Sequence, residues 1–226
     1  MRLQQTITVA GMPLSGVMTA SNFIGKHFGF SVKSFDSLID GIYYDLMTVF
    51  NHYNINQQTV ARNDVILKNG LMMNRIFKMS VEEAVKYPRK WLNQISANNN
   101  ELLTKSMIRD DLNNLSETWR VDIFKEDIEK YHTSGIIITN PYNEKEFNFS
   151  RNNISIWIER PKYLRLRTCY ANGYDYDNLY KQAYLGTINK LKQQADFIIY
   201  NDSTKLNLCK ELQRLMKGVL HFESTQ

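Results

Sequence analysis

Apolar positions along the chain alternate between strand-like runs and helical spacing. Residues 6–11, TITVAG, form a β-branched run that ends in glycine, the make-up of a buried strand. From Gly16 onward Val17, Phe23, Ile24 and Phe28 partly follow helical spacing, and Gly29 is placed to end that helix. FSVKSF (30–35) reads as a second strand. Strand, helix and strand so close together make a βαβ unit and imply a parallel pair. DSLIDGIYYDLMTVFNHY (36–53) is helical, with Asp36 in position to be its N-cap. Residues 54–80 show no clear period and hold Asn, Gly and Met, so they are expected to be mostly irregular with one short helix. SVEEAVKYPRKWLNQIS opens with a capping box, Ser80 and Glu83, and Pro88 should kink or end its helix. One or two helices follow over about 104–132. Strand-length runs then appear at 135–139 and at 153–159, where Ile154, Ile156 and Ile158 alternate. A helix over about 174–194, a strand at 197–200 and a last amphipathic helix complete the chain.

Strands thus alternate with helices, which predicts an α/β fold with a mostly parallel sheet of about five strands flanked by helices. Without repeats or linkers, residues 1–226 read as a single domain. The helical stretch 54–132 reads as an insertion between strands.

Composition narrows the picture. Of the 226 residues, 43% are hydrophobic and 23% charged, an ordinary globular balance. Cys169 and Cys209 have no partnering motif, and His27, His52, His132 and His221 are scattered, so no zinc spacing, catalytic triad or metal cage is expected. No secretory leader is visible, and no run approaches the ~18 apolar residues of a membrane span. The expectation is a cytoplasmic protein with no membrane partner. A net charge of +5 suits an anionic ligand but is too mild to assign nucleic-acid binding.

The candidate chemistry begins in AGMPLSGVMTAS, between the first strand and the first helix. Gly11 and Gly16 match the spacing of the phosphate-binding pattern G-x-x-x-x-G-K-[ST], but Val17 and Met18 stand at its Lys and Ser/Thr positions. Backbone N–H groups and a helix N-terminus bind an anion without any particular side chain. The charge and the metal-holding hydroxyl are missing. Thr19 lies one place beyond the hydroxyl position. Lys26 is about 15 Å away along the helix, at 1.5 Å per residue, and out of reach. Lys33 is nearer, with its direction undetermined. On spacing alone, Gly11 and Gly16 read first as ordinary strand-to-helix turn residues.

Several segments together resemble the bacteriophage deoxynucleoside monophosphate kinases. SGVMTASNFIGKHFGF is similar to that family's S-G-K-D-T-x-A-D-x-[IL] helix through Ser15, Gly16, Thr19, Phe23 and Ile24. Asp36 and Leu38 fit its A-x-A-D-P-L-K-like turn. Arg109 and Arg120 in IRDDLNNLSETWR fit its R-x-x-[LM]-Q-x-x-G-T-x-x-R helix, with Asn113 and Ser116 departing from it. Asn143, Glu144 and Glu146 fit D-x-R-x-x-N-E-A-E, where Ile138 and Asn140 replace the Asp and Arg. ADFIIYNDSTK resembles the closing A-D-x-[IV]-[IV]-x-N-D-G-[ST] strand-turn. The departures fall on groups that perform chemistry.

The resemblance implies a P-loop kinase architecture, with ATP and Mg²⁺ as cofactors if the protein is active, and a homodimer. It implies Gly11, Ser15, Gly16 and Thr19 as the phosphate-loop residues and 160–175 as a lid-like segment whose Arg165 and Arg167 clamp phosphate. Arg160 and Lys162 lie in the same basic stretch, which reads equally as a solvated edge or, with its interleaved aromatics, as a single-strand nucleic-acid contact. Arg109 and Arg120, eleven residues apart on one expected helix, would share a face and bind a monophosphate. Salt bridges with Asp110, Asp111 or Glu117 explain either one as well. Asp36 is an acceptor-site base or simply an N-cap. Tyr43, Tyr44, Phe50 and Tyr53 read as core.

Two functions follow. One is a kinase-like phage protein that has lost phosphoryl transfer and binds a nucleotide, nucleic acid or protein. The other is an active kinase with an atypical loop. Either would act in the cytoplasm of the infected cell or travel in the virion.

Overall fold

A computed structural model describes residues 6–34, 37–51, 55–98, 100–116, 118–130, 135–139, 141, 144–150, 154–177 and 191–221. Its chain divides into two compact units, Met1–Phe35 with Asp127–Gln226, and Asp36–Glu126.

The first unit holds five parallel strands: β1 (Thr6–Gly11), β2 (Ser31–Ser34), β3 (Ile136–Thr139), β4 (Ile154–Glu159) and β5 (Phe197–Tyr200), in the order β2-β3-β1-β4-β5. Ile7 and Val9 of β1, Ile137 of β3, Ile156 and Ile158 of β4 and Ile199 of β5 are buried together against helix α1 (Val17–Phe28) and the last helix (Lys205–Arg214, continued by a π-helical turn, Leu215–Val219). The period of two sends Ala10 and Trp157 to another cluster, with Leu191. Gly29 ends α1 in the left-handed region (φ 76°), as its position predicts. At the start of β5, Asp196 Oδ2 accepts from the N–H and the hydroxyl of Ser155 at 2.8 and 2.6 Å, and Asp196 N–H donates back to Ser155 Oγ. This reciprocal pair sets the register of β5 on β4. The first unit also contains helices over Glu144–Ser150 and Lys162–Ala171. Of the helix expected over about 174–194, residues 178–190 lie outside the described residues, and 191–194 are helical.

The second unit is helical. In chain order it holds α2 (Ser37–Asn51), α3 (Ile55–Phe77), α4 (Val81–Ala84), α5 (Lys86–Asn98), α6 (Glu101–Leu115) and α7 (Trp119–Lys130, whose last residues pass into the first unit). Trp91, Trp119, Leu46, Met73 and Ile108 lie in its core. The expectation of an irregular 54–80 is overturned by the 23-residue α3. Its helical signal is weak because Asn and Gly interrupt it. Gly70 is needed for packing: a Cβ there would lie 2.6 Å from Val85 Cγ1. Ser80 caps α4 by accepting from Glu83 N–H, as the sequence predicts. That helix ends before Pro88, which sits in the first turn of α5, where its missing N–H is harmless.

The expected single helix through Arg109 and Arg120 is also overturned. Ser116 is extended (φ −161°, ψ 129°) and ends α6, and its hydroxyl accepts from Thr118 N–H just before α7 begins. The two arginines therefore lie on different helices. Tyr43 is buried as expected, but Tyr44 is 59% exposed. Lys105 Nζ lies 5.1 Å from both ring centroids and pairs with Asp40 and Glu101. Tyr53 lies outside the described residues.

Gly70→Ala is expected to destabilise the protein by about 1–3 kcal/mol through overpacking, although alanine is intrinsically the better helix former by about 1 kcal/mol. Urea unfolding measures this, and a midpoint at or above that of the parent contradicts the close approach of α3 and Val85.

Candidate phosphate-binding loop

Chain order in the sheet reverses at β1, which pairs with β3 on one side and β4 on the other. The carboxyl end of β1 is therefore a topological switch point, where open parallel sheets bind ligands. The loop from Gly11 to Gly16 starts there and leads directly into α1.

The loop is tightly folded. Ser15 N–H donates to Met12 O at 3.0 Å. Leu14 adopts φ 64°, a left-handed conformation that costs a side-chain-bearing residue about 1 kcal/mol. Gly16 has φ 103°, and here glycine is required. Gly11 is required by space, since a Cβ would lie 2.3 Å from Ser15 Oγ and 2.7 Å from Ile158 O. Both glycines of the spaced pair thus have a structural reason to be there.

Two side chains from neighbouring strand ends hold the loop. Asn201, just past β5, donates Nδ2 to Ser15 O at 2.7 Å, while its own N–H donates to Glu159 O at 2.7 Å. Arg160, just past β4, donates Nη1 to Leu14 O at 3.0 Å. Sequence reasoning named Arg160 only within the basic stretch and held Asn201 only within the closing strand-turn, and chose Arg165 and Arg167 instead as the phosphate clamps.

The start of α1 is open to an acceptor. Ala20 N–H bonds to Gly16 O, so the N–H groups of Val17, Met18 and Thr19 precede the helical ladder. Its N-cap, Gly16, has no side chain to cap this end, and no acid lies in its first turn. By contrast, Ser80, Asn100 and Thr204 cap α4, α6 and the last helix. Ser15 is 1% exposed, and its hydroxyl is buried without a hydrogen-bond partner.

The positions that usually carry charge and metal are otherwise engaged. Val17 is 6% exposed and belongs to the core, while Met18 is 48% exposed. A thioether is a poor ligand for a hard cation such as Mg²⁺. Among the described residues no group of three or more His, Cys, Asp or Glu could hold a metal ion. Neither Val17 nor Met18 offers the hard oxygen ligand that magnesium takes at such a loop. Thr19 is half-buried in the first turn of α1.

The other candidate residues lie on several elements of the two units. Lys33 lies on β2 in register with Ile138, and its carbonyl accepts from Thr139 Oγ1. Lys162–Ala171 forms a helix in the lid-like segment. Arg165, within it, is buried and donates Nε to Arg160 O and Nη1 to Tyr176 Oη, both at 3.1 Å. Arg165 thus braces the residue that holds Leu14. Arg167 is exposed on the same helix. In the second unit, Arg109 is half-buried on α6, and Arg120 is buried on α7 with its guanidinium 4.8 Å from the Trp119 ring. Asp111 accepts instead from Lys90 at 2.7 Å and Trp91 Nε1 at 2.8 Å. Asp36 and Asn143 lie outside the described residues. An open cleft of about 350 Å³ beside β5 is lined in part by Tyr200, Asp202, Asn207 and Glu211. Its acids make it unsuited to an anion.

With strand order, switch point and loop in place, the architecture is clear. The fold is P-loop-kinase-like. The solved structure of TT1252 from Thermus thermophilus is similar to this P-loop-kinase-like chain over 96% of its length and 99% of that chain, at 11% identity and a TM-score of 0.52. Dephospho-CoA kinase from Campylobacter jejuni matches over 95% and 96% at 17% identity, with a TM-score of 0.48. Shikimate kinase from Acinetobacter baumannii in complex with shikimate matches over 96% and 93% at 10% identity, with a TM-score of 0.44. The first is a likeness of fold alone, and the two kinases superpose too loosely to add to it. No protein-family model and no curated protein matches the sequence. Among the described residues, no helix is long and apolar enough to cross a membrane.

Replacing Asn201 by Ala removes the bond to Ser15 O and is expected to cost about 1 kcal/mol, with faster hydrogen exchange at Ser15 and Gly16. Asn201→Asp sets a carboxylate against that carbonyl and should cost more. Equal stability of the three proteins in thermal unfolding contradicts the role of the amide.

Proposed function

We propose that this protein binds a phosphorylated ligand of nucleotide type at its glycine loop, on a kinase-like scaffold that has lost efficient ATP-dependent phosphoryl transfer. The observation that carries this reading is the uncapped start of α1 behind a loop held in shape, with Val17 in the core and Met18 at the surface where a lysine and a hydroxyl would act. Gly11, Ser15, Gly16 and Thr19 take the ligand phosphate, largely through backbone N–H groups. The lost lysine and metal-holding hydroxyl normally neutralise charge in the transition state, and a group of that kind carries about 3–4 kcal/mol. Ground-state binding through backbone survives their loss, whereas catalysis does not. On this reading the chain descends from a deoxynucleoside monophosphate kinase of bacteriophage type. Arg109 and Arg120 are remnants of an acceptor site.

The second reading, an active deoxynucleoside monophosphate kinase, has one observation in its favour: Arg160 brings a cation to the loop. The two separate in a single assay. Purified protein with ATP, Mg²⁺ and each deoxynucleoside monophosphate is expected to form no diphosphate above background. Turnover at ~1–100 s⁻¹, the kinase range, overturns the impaired reading. Val17→Lys should tighten ATP binding in calorimetry while lowering the melting temperature, because it replaces a core methyl pair with a charged chain. A variant that gains neither affinity nor instability contradicts the assignment of position 17.

A further inference from the structure

Buried polar atoms without partners are uncommon, and each calls for an explanation. Among the described residues, two occur around a single peptide unit of the loop. Ser15 Oγ is buried without a hydrogen-bond partner, and so is Arg160 Nε. Arg160 is already tied to this peptide unit through Nη1 and Leu14 O. Ser15 forms its other half, and its carbonyl is held by Asn201. The hydroxyl and the guanidinium N–H are both able to donate, and Ser15 directly precedes Gly16, the N-cap of α1. A group with several acceptor oxygens and negative charge is the chemistry that suits donors of this kind.

We infer that Arg160 is the binding residue that supplies the loop's missing positive charge, reaching it from the end of β4 instead of from within the loop. The inference rests on the phosphate-binding reading of that loop. Its geometry follows from the sheet. Gly11 pairs with Ile158, so the second residue beyond Ile158 emerges at the same sheet end as the loop. Arg165, donating to Arg160 O, fixes the backbone from which the guanidinium extends. A guanidinium holds its charge at any working pH and presents five donors in a planar fork. It can therefore keep Leu14 O on one nitrogen and turn others toward a phosphate. The ligand class is a phosphate ester or anhydride: a lone guanidinium recognises its oxygens, whereas a neutral nucleoside offers no charge to neutralise.

Calorimetric titration with ATP, inorganic pyrophosphate and adenosine, without Mg²⁺, tests this on the full chain and on three variants. Arg160→Gln can still donate to Leu14 O but carries no charge. Arg160→Lys keeps the charge, and Asn201→Ala loosens the loop from the other side with the charge in place. The expected result is that Arg160→Gln weakens pyrophosphate and ATP by about ten- to a hundredfold, the value of a charge-assisted hydrogen bond. Arg160→Lys should recover part of this, and Asn201→Ala should lose less than Arg160→Gln. Wild-type affinity in Arg160→Gln, or an equal loss in Asn201→Ala, makes Arg160 a loop support only and overturns the inference, while the loop remains an anion site. If the parent chain takes up neither ATP nor pyrophosphate, the phosphate-binding reading itself falls. If Arg160→Gln does not fold, Arg160→Lys decides: pyrophosphate affinity that is unchanged or lowered by less than in Asn201→Ala supports the charge role, and an equal or greater loss overturns it.

Discussion

The backbone N–H and C=O groups of Ile7, Thr8 and Val9 in β1 must find partners inside the protein, because these residues are wholly out of reach of water. The two neighbours that satisfy them, β3 and β4, come from far along the chain and lie on opposite sides. Once that central strand is paired on both edges, its carboxyl end can lead only outward, into the loop and the start of α1. The ends of β4 and β5 then sit alongside, and this brings Arg160 and Asn201 to the loop. The site is thus a consequence of parallel pairing around one buried strand.

The first unit was readable where burial is continuous. TITVAG, GIIIT and ISIWIE declare themselves because a strand covered on both faces tolerates few polar residues. The Asp–Ser pairing that docks β5 explains why a charged residue precedes FIIY. The second unit was harder to read. α3 carries Asn and Gly that depress helix propensity, and the protein accepts them because Gly70 lets Val85 come close. The break at Ser116 was invisible because an extended serine leaves no proline or glycine to mark it. Both of the loop's supports lie in segments that stood out, but their bonds to the loop did not. Arg160 and Asn201 act on residues 146 and 186 positions away, and no local pattern reports a partner that distant.

The loop separates two properties that usually travel together. Its glycines, its turn and its open helix start belong to backbone, and each keeps a geometric reason in this chain. The positions that carry charge and metal in the phosphate-binding pattern hold a core valine and an exposed methionine. Fold-determining positions are constrained by packing on all sides, whereas the chemical positions at such a site face solvent and ligand.

Leu14 holds a left-handed conformation because Arg160 and Asn201 grip the carbonyls on either side of the Leu14–Ser15 bond. A loop held this way is preorganised. The entropy of ordering it is paid during folding, so an arriving ligand meets a receptor that has little left to lose. On the phosphate-binding reading, affinity at this loop then depends on contacts with the ligand and little on ordering the receptor.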